Sequence, residues 1–266
     1  MTSGTIISGD SHVIEPSELW TKPLGAKYGD AVPHIIKEFN GEKAEHFFTG
    51  IEYIRIDKSC IINCDARREW APYQDKIYDP FWACAQELDQ PVTLHIITGN
   101  EVDLFTLHGK DRVNVPRSTI GVFAEAGPVL ANEFIFGGVL DRFPKLKLVC
   151  SEYEVSWLPY WLFRTKQIQD DFGPAMNIPE IKKPIEEYMS QIYHGLIDDP
   201  YLDKVLDVID PKTIMWGSDF PHARCTYPNT RDVIKRVFGH LDAELRDDIV
   251  YRNCARFYNM ELPNGT

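Results

Sequence analysis

PVTLHIITG, residues 91–99, is an apolar run rich in β-branched residues, opened by Pro91 and closed by Gly99. A strand with one wet face alternates polar and apolar positions. This one does not, so both of its faces are expected to be covered. Three more runs read as strands of the same sheet: LKLVCSE (146–152), QIYHGLI (191–197) and TIMWGSDFPH (213–222). Between them stand helical patterns, RSTIGVFAEAGPVLANEFIFGGVLDRFP with an interruption near Gly127-Pro128, then WLPYWLFRTKQIQDDF and PYLDKVLDVID. Strands alternating with helices predict an α/β domain, a parallel sheet wound with helices.

Upstream, TIISGDSHVIEP (5–16) reads as a first strand that ends in Asp10 and His12. Residues 15–50, punctuated by Pro and Gly, read as a long loop with short pieces of structure. IEYIRID and KSCIINC (51–64) supply one or two strands, and DPFWACAQELDQ a helix with Asp79 as N-cap and Pro80 at its first position. After residue 228, NTRDVIKRVFGHLDAELRDDIVYRNCARFY reads as two helices. Residues 1–266 thus make a single domain with about six recognisable strands, close to the roughly 250 residues that α/β barrels reach as one domain. No glycine-rich phosphate fingerprint follows any strand, which argues against a doubly wound nucleotide-binding sheet. Polar residues gather instead at strand C-terminal ends, where (β/α) barrels carry their active sites: Asp10 and His12, His95, Glu152, His194 and Asp219.

The formal net charge of -12 disfavours nucleic acid and anionic membranes as partners. No window approaches the roughly 18 apolar residues of a membrane span. MTSGTIISGD lacks the charged and apolar regions of a secretory signal, so the chain reads as cytoplasmic. Its six cysteines are expected to be reduced, since the SCIINC pair has no second pair to complete a zinc site.

Along a strand, side chains two apart share a face, so Asp10 and His12 point the same way. One barrel would bring them to His95 and Asp219, uniting donors from three strand ends. Imidazole and carboxylate suit zinc, or manganese where oxygen ligands weigh more.

DSHVIEPSELW, LHIITG, SEYEVSWLPYWLFR, MWGSDFPH and NCARFY follow in that order along nearly the whole chain. Together they resemble the amidohydrolase-related family, the branch of the amidohydrolase superfamily with α-amino-β-carboxymuconate-ε-semialdehyde decarboxylase and γ-resorcylate decarboxylase. The resemblance implies a distorted (β/α)8 TIM-barrel-like fold with one divalent metal at its C-terminal mouth, held by Asp10, His12, His95 and Asp219. Zinc comes first as that ion and manganese second.

The activity expected is nonhydrolytic decarboxylation of a small aromatic or unsaturated carboxylic acid by a homodimeric carboxy-lyase. Asp219 would pass the proton, tuned by Glu152 or His194, with Trp20, His222 and Arg164 facing the substrate. Hydrolysis of an ester, lactone or amide would use the same ligands, and a non-catalytic shortened remnant is the third reading. The chain departs from its relatives at Glu152, where many carry histidine, and at Glu154, where the E-x-G-x-x-W subgroup has glycine. By count it also lacks two βα units, of about 30 residues or more each, between the first strand and His95. A shortened or open barrel is therefore expected.

Overall fold

The computed structural model describes residues 5–10, 21–29, 34–38, 41, 43, 46–48, 53–55, 71–96, 123–222 and 225–262, and two sheets form within them. The smaller is an antiparallel meander of β1 (His34–Ile36), β2 (His46–Phe48) and β3 (Tyr53–Arg55), following a helix at Thr21–Tyr28. These are the described parts of the stretch read as a long loop with short pieces of structure and of the IEYIRID strand; SCIINC lies outside the described residues.

The larger sheet is parallel, in the order β4 (Val92–His95), β5 (Leu148–Ser151), β6 (Ile192–Leu196), β7 (Ile214–Trp216). All four are the apolar runs marked in the sequence, and the helices between them supply the crossovers that parallel pairing needs. Register sets His95 opposite Ser151, Cys150 opposite His194, and His194 opposite Ile214. Among the described residues the sheet ends at four strands and does not close, giving a shortened TIM-barrel-like fold.

Residues 5–10 run beside β7, with a bend at Gly9, without forming a ladder. Gly9 donates to Trp216 O (2.8 Å), but the next bonds go past the strand end, from Ser218 N and Asp219 N to Asp10 O (3.1 Å each). The expected first strand is therefore a tether along β7 and the loop beyond it.

The two faces of the parallel sheet carry different cores. Leu148, Cys150, Ile192, Leu196, Ile214 and Trp216 pack into the main cluster with Leu130, Phe134, Leu158 and Phe238 from the helices. Val149 and Met215 point the other way, onto Cys254 and Phe257 of the C-terminal helix Asn253–Phe257, with Tyr193 alongside. Alternation along the strands puts His95 and Ser151 on that second face, one step nearer the C-terminal ends. The site therefore stands above the packed layer of Val149, Met215, Cys254 and Phe257.

Two helix readings change. Asp79 does not cap its helix (Asp79–Glu87); Tyr78 takes that position, and Pro80 is second. The Asp79 carboxylate binds Arg142 instead, at 3.1 Å from Nε and 3.0 Å from a terminal nitrogen. Nor does the chain break at Gly127-Pro128. The helix Phe123–Val129 runs through both residues and widens into π-helical turns at Leu130–Ile135. Gly127 is there for contact: Trp161 Nε1 donates to its carbonyl at 2.9 Å, and a Cβ would come within 3.0 Å of the indole. The break falls at Gly137-Gly138, where Gly138 is left-handed (φ 75°). Cys84, Cys150, Cys225 and Cys254 are free thiols. No helix of the described residues is long and apolar enough to cross a membrane.

Candidate metal centre

Asp10 is placed by backbone. Its carbonyl takes the two N–H groups beyond β7, and its Cβ lies over Gly217, where any side chain would stand 2.8 Å away. Ser8 fastens the same junction: its hydroxyl accepts from Ser218 N (2.8 Å) and donates to Asp10 O (2.5 Å). His95 ends β4. Its Nδ1 lies 2.9 Å from Ile96 O, and because a carbonyl can only accept, that nitrogen carries the proton. Nε2 faces the acids, 3.2 Å from Glu152 Oε1 and 3.9 Å from Asp10 Oδ2, and without a metal it carries a proton toward them. Locking one ring nitrogen so that the other can ligate is how metal-binding histidines are held.

Glu152 and Asp219 follow β5 and β7, both with left-handed backbone (φ 66° and 55°). Side chains with a Cβ avoid that region, and such strain persists where surrounding contacts enforce it, commonly at functional sites. One donor atom each from Asp10, His95 and Glu152 lies within 4.8 Å of the others, and the same is true of Glu152, Asp219 and His222. His222 Nε2 is 3.8 Å from Asp219 Oδ1.

Three carboxylates in so small a space repel one another. Burial, then the hydrogen bond and charge of Glu152 and the charge of Asp10, push the Asp219 carboxyl up to about 8, against the opposing pull of His95. Burial alone would lower His95, but its bond to Glu152, the Ile96 carbonyl and the charges of Glu152 and Asp10 raise it to about 9. A divalent cation would relieve that repulsion and displace those protons, so this set of oxygen and imidazole donors fits a metal ion.

The remaining site expectations fall elsewhere. His12 and Trp20 lie outside the described residues. His194 is not at a strand end but in the middle of β6, fully buried and in register with Cys150, hence on the opposite face from His95. Trp157 stands edge-on to its ring at 6.4 Å, neither ring nitrogen has a hydrogen-bond partner, and burial pulls its pKa down to about 3. A role at the acids is thereby corrected to a core position. Arg164 is exposed on the helix Leu158–Gln167, whose other side buries Leu158, Leu162 and Thr165, and donates to Gln167 at 2.7 Å. That arrangement orients it along the helix surface.

Sequence reading cast Glu152 as a tuning acid and missed its place among the donors. The available signal was its position, one residue past a strand whose last residue pairs with His95. Glu154, described below, stood out in the sequence only as a departure from the E-x-G-x-x-W pattern, and Asp199 had no motif to reveal it.

The fold and the site define an α/β protein of the barrel type that carries a cluster of carboxylate and imidazole donors. The sequence model of the Amidohydrolase family matches residues 58–260, and the chain belongs to that family. Among solved structures it is similar to the 5-carboxyvanillate decarboxylase of Sphingomonas paucimobilis, with 17% identity over 74% of this chain and 57% of that one, TM-score 0.56. An amidohydrolase of Mycobacterium avium subsp. paratuberculosis K-10 gives 21% identity over 73% and 48%, TM-score 0.58. The 5-carboxyvanillate decarboxylase of Novosphingobium aromaticivorans, complexed with manganese and a nitrobenzoic acid, gives 16% over 74% and 55%, also TM-score 0.58. The chain spans only about half of the length of these structures. At such identities the likeness establishes the fold.

Proposed function

We propose that this protein is a metal-dependent carboxy-lyase acting on a small aromatic carboxylic acid. The observation that carries the reading is the convergence of Asp10, His95 and Glu152, with Asp219 beside them, beyond the C-terminal ends of β4, β5 and β7. Family membership and the decarboxylases among the similar structures support it.

Asp10, His95 and Glu152 would hold the ion, with Asp219 and His12 as further donors. Oxygen outnumbers imidazole in that set, which favours manganese over the zinc expected first. A bound divalent ion polarises a substrate carboxylate and fixes its orientation. Asp219, beside those donors, would pass a proton taken up from the substrate or from water to the carbon that loses carbon dioxide. The Ile96 carbonyl keeps His95 in the ligating tautomer throughout. Phe220, next to Asp219, stands edge-on to Tyr227 at 5.4 Å, and both rings are exposed, offering aromatic surface to a substrate ring beside the site. Residues 1–266 act in this reading as one domain, working in the cytoplasm as a homodimer.

The test is carbon dioxide release from a panel of hydroxy- and methoxybenzoates by the manganese-loaded protein. Release from at least one, lost in Asp219→Asn, is expected. Turnover of esters or lactones alone would replace this reading with the hydrolytic one.

A further inference from the structure

The loops after β5 and β6 are tied together in both directions by carboxylates. Glu154, from the first loop, accepts from Ile197 N at 3.0 Å and from Asp198 N at 3.4 Å in the second. Asp199, from the second loop and 3% exposed, answers by accepting from Val155 N (3.0 Å), Ser156 N (2.8 Å) and the Ser156 hydroxyl in the first. It also accepts from Tyr201 N at 2.9 Å, closing its own turn. Two further contacts stiffen the pair. Trp157 Nε1 donates to Glu154 O at 3.2 Å, and Arg236 grips both oxygens of Asp198 (2.8 and 2.7 Å), joining the second loop to the helix Thr230–Phe238.

Glu152 enters the first loop at φ 66°, and Glu154 sits two residues on at φ 53°. Two left-handed residues so close together, neither of them glycine, form a backbone shape that the chain does not adopt unaided. We propose that Glu154 and Asp199 form a reciprocal clasp that positions Glu152 in the metal centre. The inference rests on the reading of Glu152 as a metal ligand. Both are positioning residues: they act on backbone N–H groups, and through these on the direction in which Glu152 presents its carboxylate. Carboxylates that accept several N–H bonds are well suited to this, since each bond to a charged acceptor is short and directional.

Glu154→Gly separates positioning from simple loop stability, because glycine suits the left-handed backbone while the clasp is lost. The full-length protein, wild type and variant, is titrated with Mn2+ and followed by electron paramagnetic resonance; thermal unfolding of the metal-free forms is recorded beside it. Manganese affinity is expected to fall tenfold or more, as for other partners that orient a ligand, with the metal-free unfolding midpoint close to wild type. Glu154→Gln, which keeps one acceptor for Ile197 N, is expected to recover most of the affinity, and Asp199→Asn to lose it as Glu154→Gly does. Affinities of Glu154→Gly and Asp199→Asn within threefold of a manganese-binding wild type would overturn the clasp alone. A wild type that binds no manganese would overturn the metal reading, and the clasp's role with it.

Discussion

Gly217→Ala is a one-methyl test of how Asp10 is placed. The new Cβ would stand 2.8 Å from Asp10 Cβ, 3.1 Å from its N and 3.4 Å from its Cα. Carbon atoms in contact keep about 3.5–4.0 Å, so the two Cβ atoms overlap by about 0.7–1.2 Å. Both groups are bound to backbone, and no flexible side chain can swing away. Relief requires the 5–10 segment to lift from β7, stretching the 3.1 Å bonds from Ser218 N and Asp219 N to Asp10 O. Overpacking of this kind costs about 1–3 kcal/mol. Metal sites tolerate only about 0.2 Å in ligand distance, so the displaced Asp10 carboxylate would be lost to the ion. Urea unfolding of the metal-free variant should show that destabilisation, and manganese titration a weakening of tenfold or more. A variant as stable as wild type, with unchanged manganese affinity, would refute the placement of Asp10 over Gly217.

Further outcomes are expected. His95 and Asp219 both have folded-state pKa values above their ordinary ones. The stability each contributes is therefore complete below its ordinary value and is lost as pH rises through about 9 for His95 and about 8 for Asp219. The urea midpoint of the metal-free protein should decline from pH 6 to pH 9, while manganese affinity rises over the same interval because binding displaces those protons. His194 has the opposite sign: its pKa is depressed to about 3, so the stability tied to its neutral form is lost as pH falls below about 6.5. His194→Leu should remove that component of acid unfolding and keep stability at pH 7, both readable from urea midpoints at pH 4.5 and 7, and leave manganese binding intact in a titration. Trp82, 2% exposed and edge-on to Tyr73 and Phe134, should cost about 3–5 kcal/mol as Trp82→Ala in the same unfolding assay.

The parallel sheet was legible because burial on both faces removes polar positions from a strand, and Leu148–Ser151 is buried throughout; Val92–His95, at the end of the described sheet, departs from that expectation, with Thr93 exposed. Asp219 could be chosen because it stands where an apolar run gives way to polar residues, and His95 because it interrupts one. His194 resembled them in sequence and differs in space. One step of register turned it toward Trp157, and the QIYHGLI run offers no cue to which face a residue takes. Asp79 in front of Pro80 fits an N-cap, but its charge was worth more beside Arg142, 63 residues away. Gly127-Pro128 looks like a helix break; contact with Trp161 and a widening into π-helical turns carry the helix through. The Glu154–Asp199 clasp escaped notice because a carboxylate that bonds backbone N–H groups selects no partner residue type, and so leaves no pairing in the sequence.

The central claim is that Asp10, His95 and Glu152 hold a divalent ion, and metal content tests it most directly. The purified protein is incubated with Mn2+, dialysed and subjected to elemental analysis, with His95→Ala treated in parallel. About one divalent ion per folded chain is expected for the wild type and far less for the variant, as for a single site with shared ligands. A folded wild type that retains no ion, or a His95→Ala variant that retains as much as the wild type, would contradict the account.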